Sequence, residues 1–114
     1  MKISEIASIL SAKVLTRDVD LEHEVFSACG SDMMSDVLAF VKDQAVLLTG
    51  LNNPQVIRTA EMMDMVCVVF VRGKTPDTSI VDMANEKDIA VLTTQRTLYD
   101  ACGLLYKHGL GEEE

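Results

Sequence analysis

Basic side chains are scarce in this acidic chain, and several of them are grouped. The 114 residues include ten Lys and Arg against 18 Asp and Glu, which gives a formal net charge of −8. Three of those ten lie in two short stretches that also carry hydroxyl groups, Arg72-Gly73-Lys74-Thr75 and Thr94-Gln95-Arg96-Thr97. Guanidinium and ammonium groups bind phosphate and carboxylate oxygens, and free backbone amides do so beside them. The sequence therefore predicts a site for a small anion.

Two further polar stretches belong with these cations, because each of the four follows an apolar run. They are Gly30-Ser31-Asp32 and Thr49-Gly50-Leu51-Asn52-Asn53. The alternative interpretation is that such stretches are polar because they turn, and that Asn53, Asp77 and Thr97 only cap helices. Both interpretations stay open. The candidate ligand-binding residues are Ser31, Asp32, Thr49, Gly50, Asn52, Asn53, Arg72, Gly73, Lys74, Thr75, Thr94, Arg96 and Thr97.

The sequence matches neither of the two common nucleotide-binding fingerprints. A P-loop requires Gly-x-x-x-x-Gly-Lys-Ser/Thr, and Gly73-Lys74-Thr75 supplies only its end, because Val68 stands where the first glycine is needed. The Rossmann pattern of three spaced glycines is not found either. ATP hydrolysis of the P-loop type is therefore not predicted.

Cys29 is the candidate nucleophile. It ends an apolar run beside Gly30, where the amides of a following helix could lower the pKa of its thiol. His23, between two glutamates, is expected to be solvated, and His108 is expected to complement the negative end of the last helix. Neither histidine is placed near the candidate loops. No catalytic residue is assigned, and a small enzyme with a Cys29 nucleophile is the third functional hypothesis.

The cysteines do not predict a disulfide, a metal site or a cofactor. Cys29, Cys67 and Cys102 are an odd number, widely spaced, with no Cys-x-x-Cys pair and no histidine at metal-ligand spacing. Cys67 lies in an apolar run and is expected to be a small buried hydrophobe. We expect no metal and no cofactor.

The hydrophobic pattern predicts alternating helices and strands that would bring the candidate loops together. Short apolar runs indicate strands, and apolar residues at helical spacing indicate amphipathic helices. The expected strands cover 12–16, 25–29, 45–49, 65–71 and 89–93, and the expected helices cover 4–11, 33–41, 53–63, 77–87 and 97–108. This order predicts a three-layer α/β/α domain with a mainly parallel sheet. In such a sheet the loops after the strands meet at one edge.

Helix ends are marked by capping residues. Ser, Asp, Asn and Thr side chains accept hydrogen bonds from the first free amides of a helix, and glycine after a helix adopts left-handed backbone. The pair Asn53-Pro54 is the clearest of these signals, since proline at the first helical position loses no needed donor. The expected caps are Ser4, Ser31-Asp32, Asn53, Asp77 and Thr97, with Gly109 after the last helix.

Composition and charge narrow the partners and the location. Residues 1–111 are expected to form a single α/β domain, followed by a solvated acidic tail at 112–114. A polyanion would meet net repulsion, so nucleic acid is not an expected partner. The longest apolar runs are far shorter than the roughly 20 residues of a membrane span, and the first residues do not read as a signal peptide. The expected location is the cytoplasm.

Three stretches of the sequence resemble those of a known family. They are Met-Lys-Ile-Ser-Glu-Ile-Ala-Ser-Ile-Leu-Ser-Ala-Lys-Val-Leu at the start, Ala-Cys-Gly-Ser-Asp-Met-Met-Ser-Asp-Val at 28–37, and Ile-Ala-Val-Leu-Thr-Thr at 89–94. The chain resembles the DRTGG domain over nearly its whole length, and its expected fold is similar to the N-terminal domain of HPr kinase. The Asp-Arg-Thr-Gly-Gly string that names the family does not occur here.

The resemblance implies a non-catalytic regulatory or dimerisation module. DRTGG domains occur as small stand-alone proteins and within CBS-domain pyrophosphatases, so the resemblance implies a homodimer and a small phosphorylated metabolite or adenine nucleotide as ligand. The first functional hypothesis is therefore a regulatory dimer that senses a small anion through Arg72, Lys74 and Arg96. The second is a pure protein-protein interaction domain that docks on a partner enzyme.

Overall fold

The computed structural model describes residues 1–40 and 44–111. The expected end of the second helix near Val41 and the expected acidic tail at 112–114 lie outside the described residues. No helix in the described ranges is long and apolar enough to cross a membrane.

The described residues form a mainly parallel five-stranded sheet, as predicted. The strand order is β1-β5-β4-β3-β2. Strands β2 to β5 run parallel, whereas the short β1 pairs antiparallel with β5 at one edge. The strands are β1 (Lys13–Val14), β2 (Ser27–Gly30), β3 (Ala45–Thr49), β4 (Cys67–Phe70) and β5 (Ala90–Thr93).

Helices cover both faces of the sheet, which confirms the three-layer α/β/α prediction. Residues of α1 and α5 pack in one apolar cluster, and residues of α2, α3 and α4 pack in another on the opposite face. The helices are α1 (Ile3–Ile9), α2 (Met34–Leu38), α3 (Gln55–Met62), α4 (Thr78–Glu86) and α5 (Leu98–Lys107).

The central strands supply both clusters because alternate side chains of a strand point to opposite faces. On β3, Val46 and Leu48 join the cluster under α1 and α5, whereas Leu47 joins the one under α2 to α4. Every residue of β3 and β4 is buried. Cys67 on β4 is among them, as expected, and burial raises the pKa of its thiol to about 12. The middle of the sheet is thus a continuous apolar layer.

Two expected capping residues accept hydrogen bonds from the first amides of their helices, although Pro54, one residue after Asn53, holds the N-cap position of α3. Asn53 Oδ1 accepts from the amide of Gln55 at 2.7 Å, at the start of α3. Thr97 Oγ1 accepts from the amide of Asp100 at 3.2 Å, at the start of α5. Gly109 follows α5 with φ of 98°, so the expected left-handed residue is also confirmed.

Three expected caps are corrected. Helix α1 begins at Ile3, so Ser4 lies inside it, and the side chain of Glu5 accepts instead from the amide of Lys2 at 3.0 Å. Asp77 stands at the N-cap of α4 but its side chain makes no capping hydrogen bond. Met33 is the N-cap of α2, so the expected capping role of Ser31-Asp32 is wrong. Asp32 is used elsewhere, in the loops described next.

Candidate functional site

The candidate residues occupy the four loops that follow β2, β3, β4 and β5, except for Thr49, which is the last residue of β3. Because these strands are parallel, their carboxyl ends, and therefore the loops, lie along one edge of the sheet. The prediction that these loops share an edge is confirmed by the fold. What binds there is not tested by the fold.

The loops after β4 and β5 are hydrogen-bonded to each other. The amide of Arg72 donates to the carbonyl of Arg96, and the amide of Gly73 donates to the carbonyl of Thr94, both at 2.8 Å. The amide of Lys74 donates back to the carbonyl of Val71 at 3.2 Å. We call residues 71–74 and 94–96 the double loop. The backbones of all three candidate cations, Arg72, Lys74 and Arg96, therefore make hydrogen bonds within this unit.

The double loop depends on unusual backbone geometry. Arg72 and Gly73 both have positive φ, 58° and 69°, as in a type I′ turn. Glycine adopts this positive φ without strain at the second position, where a Cβ would stand 2.7 Å from Oε1 of Gln95, the movable end of an exposed side chain. The side-chain amide of Gln95 therefore lies directly against the turn.

Asp32 ties three loops together. Its Oδ1 accepts from the amide of Gly50 at 2.6 Å and from Oγ1 of Thr49 at 3.2 Å. Its Oδ2 lies 3.9 Å from Nη2 of Arg72, in an ion pair whose two side chains are about half exposed. The guanidinium of Arg72 lies over Gly50, in the space that a Cβ there would occupy. The amide of Gly50 therefore already donates its hydrogen bond to the Asp32 carboxylate and is not free to bind a ligand.

Backbone carbonyls of the loop after β4 are bound by neighbouring side chains. Asn52 Nδ2 donates to the carbonyl of Thr75 at 3.4 Å, and Thr93 Oγ1 donates to the carbonyl of Lys74 at 2.6 Å. Thr93 was not among the predicted residues, although a threonine at the last position of a strand is suited to this contact. Lys74 itself is exposed at the edge.

A shallow groove of about 410 Å³ opens beside Arg96. One wall is Leu10 and Ser11 at the end of α1, and the other includes Thr97. Buried Thr94 joins the walls, because its hydroxyl donates to the carbonyl of Leu10 at 2.7 Å and accepts from the amide of Arg96 at 3.3 Å. The contribution of α1 was missed, since no local signal in the sequence links residues 84 positions apart.

The remaining predicted residues serve their own loops. Ser31 Oγ accepts from the amide of Met33 at 3.0 Å, and Asn53 and Thr97 accept from the helix amides described above. The structure thus brings Asp32, Thr49, Gly50 and Arg72 into contact, and joins Gly73 and Thr94 to the loop of Arg96. Among the described residues, the side-chain hydrogen bonds of Ser31 and Asn53 do not reach this group.

The surroundings of Cys29 do not favour the reactive thiol of the third hypothesis. Burial raises the pKa of the Cys29 thiol, and the neighbouring Cys102 and Asp36 raise it further. The direction of this shift is opposite to the one that the third hypothesis requires. His23 is exposed beside Gln44, with Nε2 and Oε1 at 2.6 Å, and His108 Nδ1 lies 2.8 Å from the carbonyl of Leu104. The predicted place of His108 at the helix end is confirmed.

A second cavity, of about 430 Å³, lies at the opposite edge of the sheet. It is lined in part by Asp18, Asp20, His23 and Asp88, and Ala90 at the start of β5 places it away from the candidate loops. In residues 1–40 and 44–111 no group of three or more His, Cys, Asp or Glu side chains is arranged to hold a metal ion.

Comparisons with known proteins bear on the family and the fold. The family model described as the DRTGG domain matches residues 5–107. A search of curated proteins found no match.

One solved structure is similar over 91% of this chain, with a TM-score of 0.76 and 20% sequence identity. It is the crystal structure of the CBS and DRTGG domains of the regulatory region of Clostridium perfringens pyrophosphatase, complexed with the activator diadenosine tetraphosphate. The match spans 45% of that chain, and at this identity it shows the fold alone.

Proposed function

The chain belongs to the DRTGG domain family, and from this premise we propose that it is a non-catalytic regulatory module that binds a small anion at its strand-end loops. The ligand class is a phosphorylated metabolite or an adenine nucleotide, and the working form is a cytoplasmic homodimer of the domain formed by residues 1–111.

The double loop carries this proposal. Arg72 and Arg96 are exposed, and the backbone of each is fixed by the 2.8 Å hydrogen bond between them. Lys74 is exposed two residues after Arg72. In a chain with a net charge of −8, this places three cationic side chains at one edge of the sheet, where parallel-sheet proteins bind ligands. A phosphate or carboxylate group is the chemistry that such donors recognise.

Asp32 competes with an incoming anion for the guanidinium of Arg72. Its carboxylate faces Arg72 and already accepts from Gly50 and Thr49. An incoming phosphate therefore draws the guanidinium of Arg72 away from Asp32 while the carboxylate keeps its other contacts. Binding exchanges one ion pair for another, which favours ligands with more negative charge than a single carboxylate.

The adenine nucleotide is included because of the structural neighbour. The regulatory region of that pyrophosphatase, which contains both CBS and DRTGG domains, was crystallised with diadenosine tetraphosphate as activator. A regulatory setting and a polyphosphate ligand in that protein support testing the same ligand class here.

The test is thermal unfolding of the purified chain against inorganic phosphate, pyrophosphate, AMP, ATP and diadenosine tetraphosphate. A ligand at about 100 times its dissociation constant stabilises the folded state by roughly 2.7 kcal/mol, which is several degrees in a domain of this size. A flat response to every compound would contradict the anion-sensing role.

A triple variant then locates the site. Arg72→Ala, Lys74→Ala and Arg96→Ala together should abolish the thermal shift, because they remove the cations of the strand-end loops. The matched control replaces three other exposed cations, Lys13, Arg17 and Arg58, and removes the same net charge. Equal loss of binding in both triple variants would mean that only the overall charge matters.

A partner-docking function is the second candidate, and exposed apolar side chains favour it. Phe26, Met33 and Leu38 are 64%, 61% and 44% exposed, and all three lie around the edge strand β2 and helix α2. A partner enzyme bound there should be captured by the wild-type chain and lost with Phe26→Ser and Met33→Ser. Retention of the same partner by that double variant would contradict docking at this surface.

A further inference from the structure

The exposed residues of α5 lie together on one side of the helix. A helix turns by about 100° per residue, so five exposed residues of α5 fall in an arc of roughly 120° with a glycine at its centre. Ala101 and Leu105, on the opposite side, are buried in the core. The exposed residues of the arc are Tyr99, Asp100, Gly103, Tyr106 and Lys107.

Neither a close contact nor a positive φ in the described part of the chain explains why residue 103 is glycine. Apart from Gly103, its two chain neighbours and the backbone of its own helix, no atom of the described residues lies within 4 Å of the position that a Cβ on Gly103 would take, whereas Gly30 and Gly50 have close neighbours there. Its φ is not among the positive values of the chain. Glycine inside a helix lowers helix stability relative to alanine. A glycine at such a position is explained by the close approach of a second backbone from outside the chain.

The two tyrosines flank this glycine and are strongly exposed. Tyr99 is 87% exposed and Tyr106 is 65% exposed, four residues before and three after Gly103. Aromatic side chains are enriched at protein interfaces because they bury much area with few rotatable bonds. The arc therefore has a flat centre with a large side chain on each side.

Charge makes this face complementary to a copy of itself. Asp100 stands three residues before Gly103 and Lys107 four residues after it, in the first and last turns of α5. If two α5 helices pair antiparallel about a two-fold axis at Gly103, each Asp100 meets the Lys107 of the other copy. The same operation places each Tyr99 beside the other Tyr106. Such a surface is isologous, as a two-fold dimer requires.

We propose that two copies of the chain pair through the exposed faces of their α5 helices, antiparallel, with the glycines in contact at the two-fold axis. This inference rests on the proposed homodimer and identifies its surface. Antiparallel pairing also places the positive end of each helix dipole beside the negative end of the other. The partner is a second copy because the same helix in the reverse direction matches both the charges and the tyrosines of this face.

The first test blocks the crossing point. Gly103→Gln adds a flexible helix-forming side chain where the helices meet, and should raise the dimer dissociation constant by more than roughly tenfold. Ser79→Gln, on the exposed side of α4, is the matched control and should leave the dimer unchanged. Sedimentation equilibrium of the full chain measures both, and circular dichroism during heating confirms that both variants fold.

The second test uses the charge pairs. Asp100→Lys places two like-charged pairs across the interface, and Lys107→Asp does the same with opposite sign, so each variant alone should self-associate roughly tenfold more weakly. An equimolar mixture of the two variants restores both attractive pairs in a heterodimer. Native mass spectrometry at low salt should show that heterodimer. A variant that had simply misfolded would not regain pairing on mixing.

The outcomes separate this inference from the function on which it rests. A wild-type dimer that persists unchanged in all three variants would overturn pairing through α5 and keep the homodimer. A wild-type chain that stays monomeric at its highest soluble concentration would overturn both. In either case the binding of an anion is decided independently by the thermal unfolding series.

Discussion

Asp32 has two opposing effects on the strand-end loops: its hydrogen bonds hold the loops together, and its negative charge repels an anionic ligand. Its carboxylate binds the amide of Gly50 and the hydroxyl of Thr49, and lies 3.9 Å from Arg72. An exposed ion pair of this length contributes little to stability. The same negative charge, however, acts directly on any anion that approaches Arg72. Its hydrogen bonds hold the loops, and its charge limits their affinity.

Replacing Asp32 by asparagine separates these two roles. Asp32→Asn keeps an oxygen that can accept from Gly50 but removes the charge, so the affinity for an anion should rise about fivefold, equivalent to about 1 kcal/mol. Isothermal titration with the best ligand of the panel measures this change. Asp82→Asn, on an exposed position of α4, is the control for net charge. Weaker binding by Asp32→Asn would mean that the carboxylate itself contacts the ligand.

At the scale of elements, the double loop is held by backbone geometry more than by side-chain contacts. Its two left-handed residues turn the chain sharply after β4, and its amides reach the loop after β5. Left-handed backbone is disfavoured for every residue except glycine by about 1–2 kcal/mol. Arg72 adopts it nonetheless, so the surrounding hydrogen bonds must offset that cost.

Gly73→Ala tests the geometry of this element. Alanine is strained at φ of 69°, whereas its methyl group would meet only the movable end of the exposed Gln95 side chain, so the backbone strain alone should make unfolding easier by about 1–2 kcal/mol. Urea unfolding measures the change. Gly50→Ala is the matched control, because its methyl group meets only the flexible end of Arg72 and its φ is not among the positive values. Equal destabilisation by both variants would contradict a special role for the turn.

Signals that act within a few residues were enough to predict the elements. Asn53 before Pro54 and Thr97 before α5 were recognised because a cap bonds amides two or three residues away. The buried runs of β3 and β4 were recognised because both faces of these strands are covered. The order of the strands depends on contacts between distant segments and was not predicted.

The same distinction explains what was predicted of the candidate site. Parallel strands bring their loops to one edge wherever the strands stand in the order, so the edge itself could be predicted. The tie from Asp32 to Gly50, the pairing of Arg72 with Arg96 and the wall contributed by Leu10 all join separate segments. Local sequence assigned Asp32 to a helix cap because a capping aspartate and a loop-bridging aspartate look alike there.

On the scale of the whole molecule, the proposed ligand site and the proposed dimer surface are joined by one helix. Arg96 lies two residues before Leu98, the first residue of α5, and Thr97 caps that helix. Antiparallel pairing about Gly103 brings the first turn of one α5 close to the last turn of the other. A ligand held at Arg96 therefore lies near the C-terminal end of the partner's helix, so the two equilibria should be coupled.

Coupling of this kind is reciprocal. With one site on each copy, a saturating ligand must strengthen the dimer by the square of the factor by which dimerisation strengthens ligand binding at each site. Sedimentation equilibrium with and without ligand gives the first factor, the change in dimer affinity. Ligand titrations of the wild-type dimer and of the monomeric Gly103→Gln variant, compared with each other, give the second factor, the change in ligand affinity. We expect both factors to exceed roughly fivefold. A first factor that differs from the square of the second would show that Gly103→Gln alters the ligand site directly.

The three cysteines are buried to different extents, so their rates of alkylation can report how often different parts of the structure open. Thiol-alkylating reagents attack the thiolate, so a thiol with a raised pKa inside the sheet reacts only when the structure opens around it. Cys67, fully buried on β4, should be labelled at the rate of global unfolding, and the half-buried Cys29 and Cys102 should be labelled earlier through local openings. Mass spectrometry of a labelling time course would then show which side of the sheet a bound ligand or a second copy keeps closed.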